Sequence, residues 1–340
     1  MVAIHNDFTM LIYLDWNILN KIEKKSDLPI EEFKVYDFIE KFVKLDGIFS
    51  PYSNAHLQDL IRGFKKNPSF IDGHLNTLKN ITQNLCICQY WGKQHTVFHY
   101  RDVNEFFKSA IEEKEFEAES FEDLMQTDYA DINSLVHLQH ELLKRLPVPN
   151  EFKQIYQADP IFSIIYPTTK YEMNTFALCS DLYNFSLLIN KDYSIYRALR
   201  KFIIMTMNKY KHNDQILKQI KNTTADLPKY LNIDAVIDEV NIKSNSSKNP
   251  LYDKLIDTFF KFDIKGYKSD NAFPNLIDDG LHSFYASHCD YFITNDDRCK
   301  HKAIKTFEKL QIETKTMTAD EFYLQVLPPT ESLQQGWRTE

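Results

Sequence analysis

The stretch that most constrains the fold lies near the end of the chain, at residues 278–298, and reads DDGLHSFYASHCDYFITNDDR. It begins with Asp278 and Asp279, continues with apolar residues at helical spacing, and passes into a short β-run at 291–294 that ends on Asn-Asp-Asp at 295–297. In an open α/β sheet, ligands bind beyond the carboxyl ends of the strands. The pattern therefore predicts carboxylates where a helix begins and where a strand ends, and the second position is one where sites form.

The beginning of the chain repeats this arrangement. Residues 9–14 form a continuous apolar run, typical of a strand buried on both faces, which ends on Asp15 with Asn17 two positions later. A second short β-run leads into a helix that places His56 and Asp59, three residues apart, on one face. The alternation of strands and helices predicts a parallel sheet with crossover helices.

The two α/β regions are separated by a long stretch of different character. With 340 residues, the chain is long enough for two domains or for one domain with a large insertion. We predict an α/β domain built from 1–100 and 262–328, a mainly helical insertion at 101–261, and a loose polar tail at 329–340. Only 7 glycines are present, and neither a GxGxxG nor a GxxxxGK[ST] motif occurs, so the sequence contains no nucleotide cofactor motif.

The net charge of −8 argues against attraction of the whole molecule to nucleic acid, so any such contact requires a local basic patch or a metal ion. One basic stretch, at 193–221, has interleaved tyrosines that could hold a nucleic-acid backbone. The alternative is a solvated charged face over an apolar helix stripe. The candidate contacts are Arg197, Arg200, Lys201, Lys209 and Lys211.

The five cysteines are odd in number and scattered, which is typical of reduced thiols in the cytosol. The first residues lack the basic leader and apolar core of a signal peptide. No run approaches the ~18 apolar residues that a membrane span requires. We therefore expect a cytoplasmic protein without a membrane segment.

Four aspartates define the candidate site: Asp15, Asp59, Asp279 and Asp296. Their hard oxygen ligands suit Mg²⁺ or Mn²⁺, and crowded carboxylates repel one another without a cation between them. Such a metal lowers the pKa of a bound water and polarises a phosphate oxygen. The predicted chemistry is hydrolysis of a phosphodiester by metal-activated water.

Each acid also has a purely structural interpretation. Asp15 could cap the following helix, Asp59 could be a surface acid, Asp278 and Asp279 could be helix-start acids, and Asp296 could belong to a turn. The histidines could equally be buried core residues. Asp278 and Asp297 stay as further candidate metal ligands, and the candidate orienting or substrate-contacting residues are Asn17, His56, His282, Thr294 and Asn295.

Three segments of the sequence resemble the motifs of the PIN-domain nucleases. They are LDWN at 14–17, SNAHLQDL at 53–60 and DGLHSFYASHCDYFITNDDR at 279–298, and a strand and helix at 312–325 are similar to that family's closing unit. The resemblance covers 8–64 and 276–326. It implies a three-layer α/β/α domain with a parallel sheet and ribonuclease activity dependent on Mg²⁺ or Mn²⁺. The metal ligands that it implies are Asp15, Asp59, Asp279 and Asp296.

The resemblance further implies an endoribonuclease that acts on RNA as a toxin or anti-phage defence effector, under an inhibitory or activating protein partner. The chain departs from the family in two ways. The interval between the second and third acids is long, and Asp59 stands where the family more often has glutamate. The alternatives are a DNA-directed PIN-like nuclease, a catalytically silent module that binds RNA or protein, and a hydrolase of small phosphoesters.

Overall fold

The computed structural model describes residues 9–90, 92–112, 120–124, 130–148, 160–211 and 249–326. These residues fall into two compact units. The first unit contains the described residues 9–90, 92–112, 249–269 and 276–326. The second contains 120–124, 130–148, 160–211 and 270–275. Residues 101–112 and 249–261, which the sequence pattern assigned to the insertion, thus belong to the first unit.

The first unit is built on two sheets. Its described strands are β1 (Met10–Leu14), β2 (Ile48–Phe49), β3 (Tyr52–Ser53), β4 (Leu85–Cys88), β5 (Val97–Tyr100), β6 (Tyr291–Ile293) and β7 (Lys315–Met317). Four strands form an entirely parallel sheet in the order β2-β1-β6-β7. In the smaller sheet, β4 pairs parallel with β3 and antiparallel with β5. The predicted α/β class with a parallel sheet is confirmed.

Helices make up most of the remaining described structure, and none of them has the length and apolar character needed to cross a membrane. In chain order they are α1 (Trp16–Glu23), α2 (Ile30–Phe42), α3 (Asn54–Lys66), α4 (Ile71–Thr82), α5 (Val103–Glu112), α6 (Phe121–Leu124), α7 (Ala130–Arg145), α8 (Pro160–Ile165), α9 (Thr175–Lys191), α10 (Tyr193–Lys211), α11 (Pro250–Ile264), α12 (Phe273–Ala286), α13 (Asp297–Leu310) and α14 (Ala319–Val326).

Alternating side chains of β1 and β6 point to opposite faces of the parallel sheet, as the period of a strand requires. Ile12, Leu14 and Ile293 join an apolar cluster formed with the helices that follow β1. Tyr13 and Phe292, which are paired in register, are both fully buried outside that cluster, and their ring centroids lie 5.8 Å apart. Burying each large apolar side chain contributes roughly 1.5–3 kcal/mol. The central strands are therefore anchored on both faces.

Local capping fixes the helices next to the sheet. Ser53 has extended backbone, and its hydroxyl accepts a hydrogen bond from the Ala55 amide at the start of α3. A capping box begins α14, because the Thr318 amide donates to Glu321 at 2.7 Å and the Glu321 amide donates to the Thr318 hydroxyl at 3.2 Å. These caps hold the helix starts at the strand ends.

One predicted helix boundary was wrong. Asp278 and Asp279 do not open a helix, because α12 already begins at Phe273 and places both in its middle. Pro274 suits the first turn of this helix, and the side chain of Leu276 is buried. The next helix, α13, begins at Asp297, where the side chain of the preceding aspartate caps it.

Candidate metal centre

The centre forms where β1 and β6 end side by side. Leu14 and Ile293, the last residues of the two strands, are paired in parallel register, so Asp15 and Thr294 leave the sheet as neighbours. The Thr294 hydroxyl donates to Asp15 Oδ2 at 2.6 Å, and the Asn17 side-chain amide donates to the same oxygen at 2.5 Å. Asp15 is only 7% exposed. The second carboxylate oxygen, Oδ1, accepts the Trp16 amide at 2.6 Å, so Asp15 also caps α1.

Helices α3 and α12 bring two more side chains to Asp15. Asp59 Oδ2 lies 2.9 Å from His282 Nε2, which lies 3.9 Å from Asp15 Oδ1. One potential ligand atom from each of these three residues lies within 4.8 Å of the other two. In the part of the chain that the structure describes, no other group of three or more histidine, cysteine or acidic side chains has this arrangement. His282 was predicted to orient a carboxylate or contact substrate, and it lies in the candidate ligand group itself.

The electrostatics of the three residues favour a bound cation. Burial raises the pKa of Asp15, and the neighbouring charge of Asp59 raises it further. His282 and Thr294 lower this pKa, but their effect is smaller, so the net shift is upward. Burial lowers the pKa of His282, but the carboxylates of Asp15, Asp59 and Asp278 outweigh it and raise that pKa. The buried carboxylate of Asp15 and the partly buried carboxylate of Asp59 repel each other, and a divalent cation between them removes the repulsion. Two oxygen donors and one imidazole nitrogen suit such an ion.

Arg62 occupies the rim of the centre, and sequence reasoning missed it. Its guanidinium forms ion pairs with Asp59 and with Asp278. Burial raises the pKa of Asp278 to about 6, with Arg62 opposing and Asp59 reinforcing the shift. The pKa of Asp59 is lowered, because His282 and Arg62 outweigh its burial. The spacing of Arg62, three residues after Asp59 on one helix, was the available signal. Asp278 thus contacts Arg62 and lies outside the ligand group.

Asp279 and Asp296 are not among the three residues of the ligand group. Burial raises the pKa of the Cys299 thiol, and the charges of Asp279, Asp15 and Asp296 raise it further. The Asp279 carbonyl accepts the Ser283 hydroxyl at 2.8 Å. Asp296 is exposed, and its Oδ1 caps α13 by accepting the amides of Arg298 and Cys299 at 2.8 and 2.9 Å.

Asp297 and Asn295 lie away from the ligand atoms. The Asp297 side chain is 64% exposed and pairs with Lys268 at 2.7 Å and with His301 at 3.1 Å. Asn295 supports the centre indirectly, because its backbone amide donates to Asn17 Oδ1 at 3.1 Å. Its side chain also bonds the Tyr36 hydroxyl at 2.7 Å. Of the predicted companions, Asn17 contacts Asp15 directly, whereas Asn295 holds Asn17.

His56 positions the backbone behind the centre. Its Nε2 lies 2.7 Å from the Leu14 carbonyl, and its Nδ1 accepts the Ser53 amide at 3.0 Å. Burial lowers the pKa of His56 to about 3, and the nearby His282 lowers it further, so the ring is neutral at ordinary pH. The ring of Tyr13, a residue that the sequence did not single out, lies against the imidazole rings of His56 and His282. A tyrosine in a buried strand needs a hydrogen-bond partner for its hydroxyl, and that requirement was the available signal.

The predicted nucleic-acid contacts lie in the second unit, on α10. Arg197, Arg200 and Lys201 line an open cavity of about 520 Å³. Arg200 donates to the Asp270 carbonyl, and its guanidinium carbon lies 5.6 Å from the centre of the Tyr196 ring. Lys209 and Lys211 belong to the same helix, but their side chains lie outside the described residues.

Two carboxylates and one imidazole converge at the carboxyl ends of parallel strands, where α/β folds place their ligands. Asp15 caps α1, Asp59 lies on α3 and His282 lies on α12, so these donors come together only in the folded chain. No protein-family model matches this chain, and neither a curated protein nor a solved structure does.

Proposed function

We propose that this protein is a nuclease dependent on Mg²⁺ or Mn²⁺ that hydrolyses RNA phosphodiesters with a three-layer α/β/α, PIN-like domain. The observation that carries the proposal is the convergence of Asp15, Asp59 and His282 within 4.8 Å at the exit of the parallel sheet. The motifs that resemble PIN-domain nucleases contribute all three residues. The parallel sheet, with side chains buried on both of its faces, is compatible with the proposed layers.

Asp15, Asp59 and His282 are the residues that would hold the ion. When bound, a divalent cation supplies a water of lowered pKa and polarises a phosphate oxygen. Thr294 and Asn17 hold Asp15 Oδ2, which fixes the carboxylate with Oδ1 towards His282. Hydrogen-bonded support of this kind orients ligands for a metal. The chain thereby presents preorganised donors at the end of β1 and on the helices α3 and α12.

The charges of Asp279 and Asp296, like that of Asp15, raise the pKa of the buried Cys299 thiol, and we propose that this negative charge strengthens cation binding at the centre. Arg62, whose side chain is 40% exposed, supplies positive charge at the rim. A guanidinium matches the geometry of a phosphate group, so Arg62 is the proposed contact for the scissile phosphate. The basic surface formed by Arg197, Arg200 and Lys201 is the proposed contact for the RNA backbone.

The test is cleavage of matched single-stranded RNA and DNA of one sequence by the full chain, with Mn²⁺, Mg²⁺ or EDTA. We expect cleavage of the RNA with either metal, none with EDTA, and a loss of about 100-fold or more in Asp15→Asn. Asp46→Asn is the matched control, because Asp46 is an exposed aspartate in the turn before β2. Equal cleavage of RNA and DNA would replace RNA specificity with a general nuclease activity.

A second candidate is a catalytically silent module that binds RNA or a protein partner. The observation that favours it is the ion pairing of Arg62 with Asp59 and Asp278, which already neutralises part of the acidic cluster. This candidate predicts RNA binding without cleavage, unchanged by Asp59→Asn. The proposed roles as toxin or defence effector, and the regulatory partner, follow from the family resemblance. They predict that expression of the intact protein arrests growth and that Asp15→Asn relieves the arrest.

A further inference from the structure

The tyrosine hydroxyl behind His282 is the feature that extends the proposed function. Tyr13 is fully buried, and its hydroxyl lies 3.0 Å from His282 Nδ1. The other ring nitrogen, Nε2, faces the carboxylates of Asp59 and Asp15 at 2.9 and 3.9 Å. A histidine that binds a metal through Nε2 must carry its remaining proton on Nδ1, and that N–H needs an acceptor. Tyr13 is therefore placed to determine which nitrogen carries the proton.

A second histidine lies at the far end of this hydrogen-bond chain. His56 Nε2 lies 2.7 Å from the Leu14 carbonyl, which can only accept, so its proton is on Nε2 and its Nδ1 carries a lone pair. That Nδ1 accepts the Ser53 amide at 3.0 Å and lies 3.4 Å from the Ser53 hydroxyl. The Ser53 hydroxyl lies 2.6 Å from the Tyr13 hydroxyl. His56 Nδ1 can thus accept a hydrogen bond from the Ser53 hydroxyl but cannot donate one.

Two directions of donation are available to the chain. In the first, His282 Nδ1–H donates to Tyr13, Tyr13 donates to Ser53, and the Ser53 proton points to His56. This direction leaves the His282 Nε2 lone pair directed at the carboxylates in a neutral ring. In the second, Ser53 donates to Tyr13 and Tyr13 donates to His282 Nδ1, which leaves an N–H on Nε2 that donates to Asp59. A cation at Nε2 is compatible with the first direction alone.

We propose that Tyr13 is a positioning residue of the metal centre, whose hydroxyl oxygen accepts the His282 Nδ1–H and so presents Nε2 to a divalent cation between Asp15 and Asp59. The inference rests on the proposed metal-dependent function and specifies the cation more closely. Mg²⁺ prefers all-oxygen ligands, whereas the first-row transition ions bind imidazole more strongly. The centre is therefore selective for Mn²⁺ over Mg²⁺, and the selectivity depends on His282 being held by Tyr13.

The variant Tyr13→Phe separates this role from simple packing. It removes only the hydroxyl, so a metal-bound His282 is left with a buried N–H that has lost its acceptor, whereas the metal-free ring can carry its proton on Nε2 and donate to Asp59. Loss of the hydrogen-bond partner of a metal-binding histidine typically lowers metal affinity about 10–100-fold. We expect a drop of about this size in the affinity for Mn²⁺. Mg²⁺ affinity should fall less, because Asp15 and Asp59 supply its oxygen ligands.

The test is titration of the full chain with Mn²⁺ in the absence of RNA. Binding is measured by calorimetry and by the electron paramagnetic resonance signal of free Mn²⁺. Tyr52→Phe is the matched control, because Tyr52 is also fully buried and loses a comparable hydrogen bond, from its hydroxyl to the Arg101 carbonyl at 2.7 Å. We expect the Mn²⁺ dissociation constant to rise about 10–100-fold in Tyr13→Phe and by no more than about twofold in Tyr52→Phe. Thermal unfolding of both variants verifies that they are folded.

A measurement on the unsubstituted protein keeps the test independent of variant folding. With Zn²⁺ as a diamagnetic probe, the ¹⁵N spectrum of the histidine rings should show His282 protonated on Nδ1, with His282→Gln identifying the signal. Mn²⁺ affinity in Tyr13→Phe equal to that of the control, or a Zn²⁺-loaded His282 protonated on Nε2, would overturn the inference but leave the nuclease proposal standing. If the unsubstituted protein binds no Mn²⁺, both fail. Binding without RNA cleavage removes the nuclease proposal alone.

Discussion

The Thr294 hydroxyl donates to Asp15 Oδ2 at 2.6 Å across a separation of 279 positions in the chain. The contact exists because β1 and β6 are parallel neighbours and each residue directly follows its strand. A hydrogen bond to a charged acceptor contributes about 1.5–3 kcal/mol. It lowers the pKa of Asp15 against the effect of burial, which favours the ionised form that a cation requires. The pairing of two strands from opposite ends of the sequence therefore builds the centre directly.

We predict that Thr294→Val lowers metal-dependent activity about 10-fold with little change in folding. Valine has nearly the shape of threonine, but it removes the donor to Asp15 Oδ2 and leaves that carboxylate held by Asn17. The loss should appear as a higher Mn²⁺ concentration for half-maximal activity. The measurement is cleavage rate against Mn²⁺ concentration, with urea unfolding in parallel.

Thr294→Ser is the matched control, because serine keeps a hydroxyl at the same position. Its Mn²⁺ dependence should stay close to that of the unsubstituted protein. If serine and valine have equal effects, the methyl group of Thr294 matters rather than its hydroxyl, and the hydrogen bond to Asp15 does not support the centre.

When no metal is bound, the guanidinium of Arg62 should balance the negative charge of Asp59 and Asp278. We predict that Arg62→Gln lowers the free energy of unfolding in EDTA by about 1 kcal/mol, because Asp59 and Asp278 lose their shared counter-charge. Mn²⁺ should then stabilise the variant more than the unsubstituted protein, since a ligand that binds only the folded state stabilises it through linkage. The measurement is the melting temperature with EDTA and with increasing Mn²⁺.

Lys305→Gln is the control for Arg62→Gln, because Lys305 forms an exposed ion pair with Glu308 elsewhere on the surface of the first unit. Its melting temperature should respond to Mn²⁺ as that of the unsubstituted protein does. An equal Mn²⁺ response in Arg62→Gln would mean that Arg62 does not compete with a cation for the carboxylates.

The positions of the acids relative to the strands were predictable, because each follows from a local pattern. A continuous apolar run places Asp15 at the end of a buried strand, and a serine before a helical stretch places Asp59 on the helix that follows it. The position of Asp279 within a helix was not predicted. The two carboxylates at 278–279 resemble a helix start, whereas the helix begins at Phe273, five residues before Asp278.

The ligand group itself depends on contacts that local patterns do not encode. His282 was one of several histidines on helical faces, and only the approach of α12 to α3 places it against Asp59 while His56 turns to the Leu14 carbonyl. Tyr13 lies in an apolar strand where any bulky residue satisfies the pattern. Its role depends on the hydroxyl, whose contact with His282 joins residues 269 positions apart.

His56 should contribute to stability rather than to chemistry. We predict that His56→Leu lowers the free energy of unfolding by about 2–4 kcal/mol, because the Leu14 carbonyl and the Ser53 amide both lose their partner inside the protein. The measurement is urea unfolding. His301→Leu is the control, since His301 is 38% exposed in its side chain and should change stability by no more than about 0.5 kcal/mol. Equal effects of the two substitutions would contradict the anchoring role of His56.

The pH dependence of stability should contain a component from His288, which lies far from the ligand group, at the end of the sheet opposite the strand exits. Burial lowers the pKa of His288 to about 4, and its Nε2 lies 3.0 Å from the Thr96 hydroxyl. The unfolded chain takes up this proton near pH 6.5, so the stabilisation is complete above that pH and is lost as the pH falls towards 4. His288→Gln, which keeps a polar partner for Thr96 but cannot titrate, should lose roughly 2–3 kcal/mol less stability than the unsubstituted protein between pH 7 and pH 4.5. Urea unfolding at both pH values measures the difference, because the carboxylates contribute equally to the two proteins. Parallel losses in the two proteins would show that His288 is protonated in the folded state without cost.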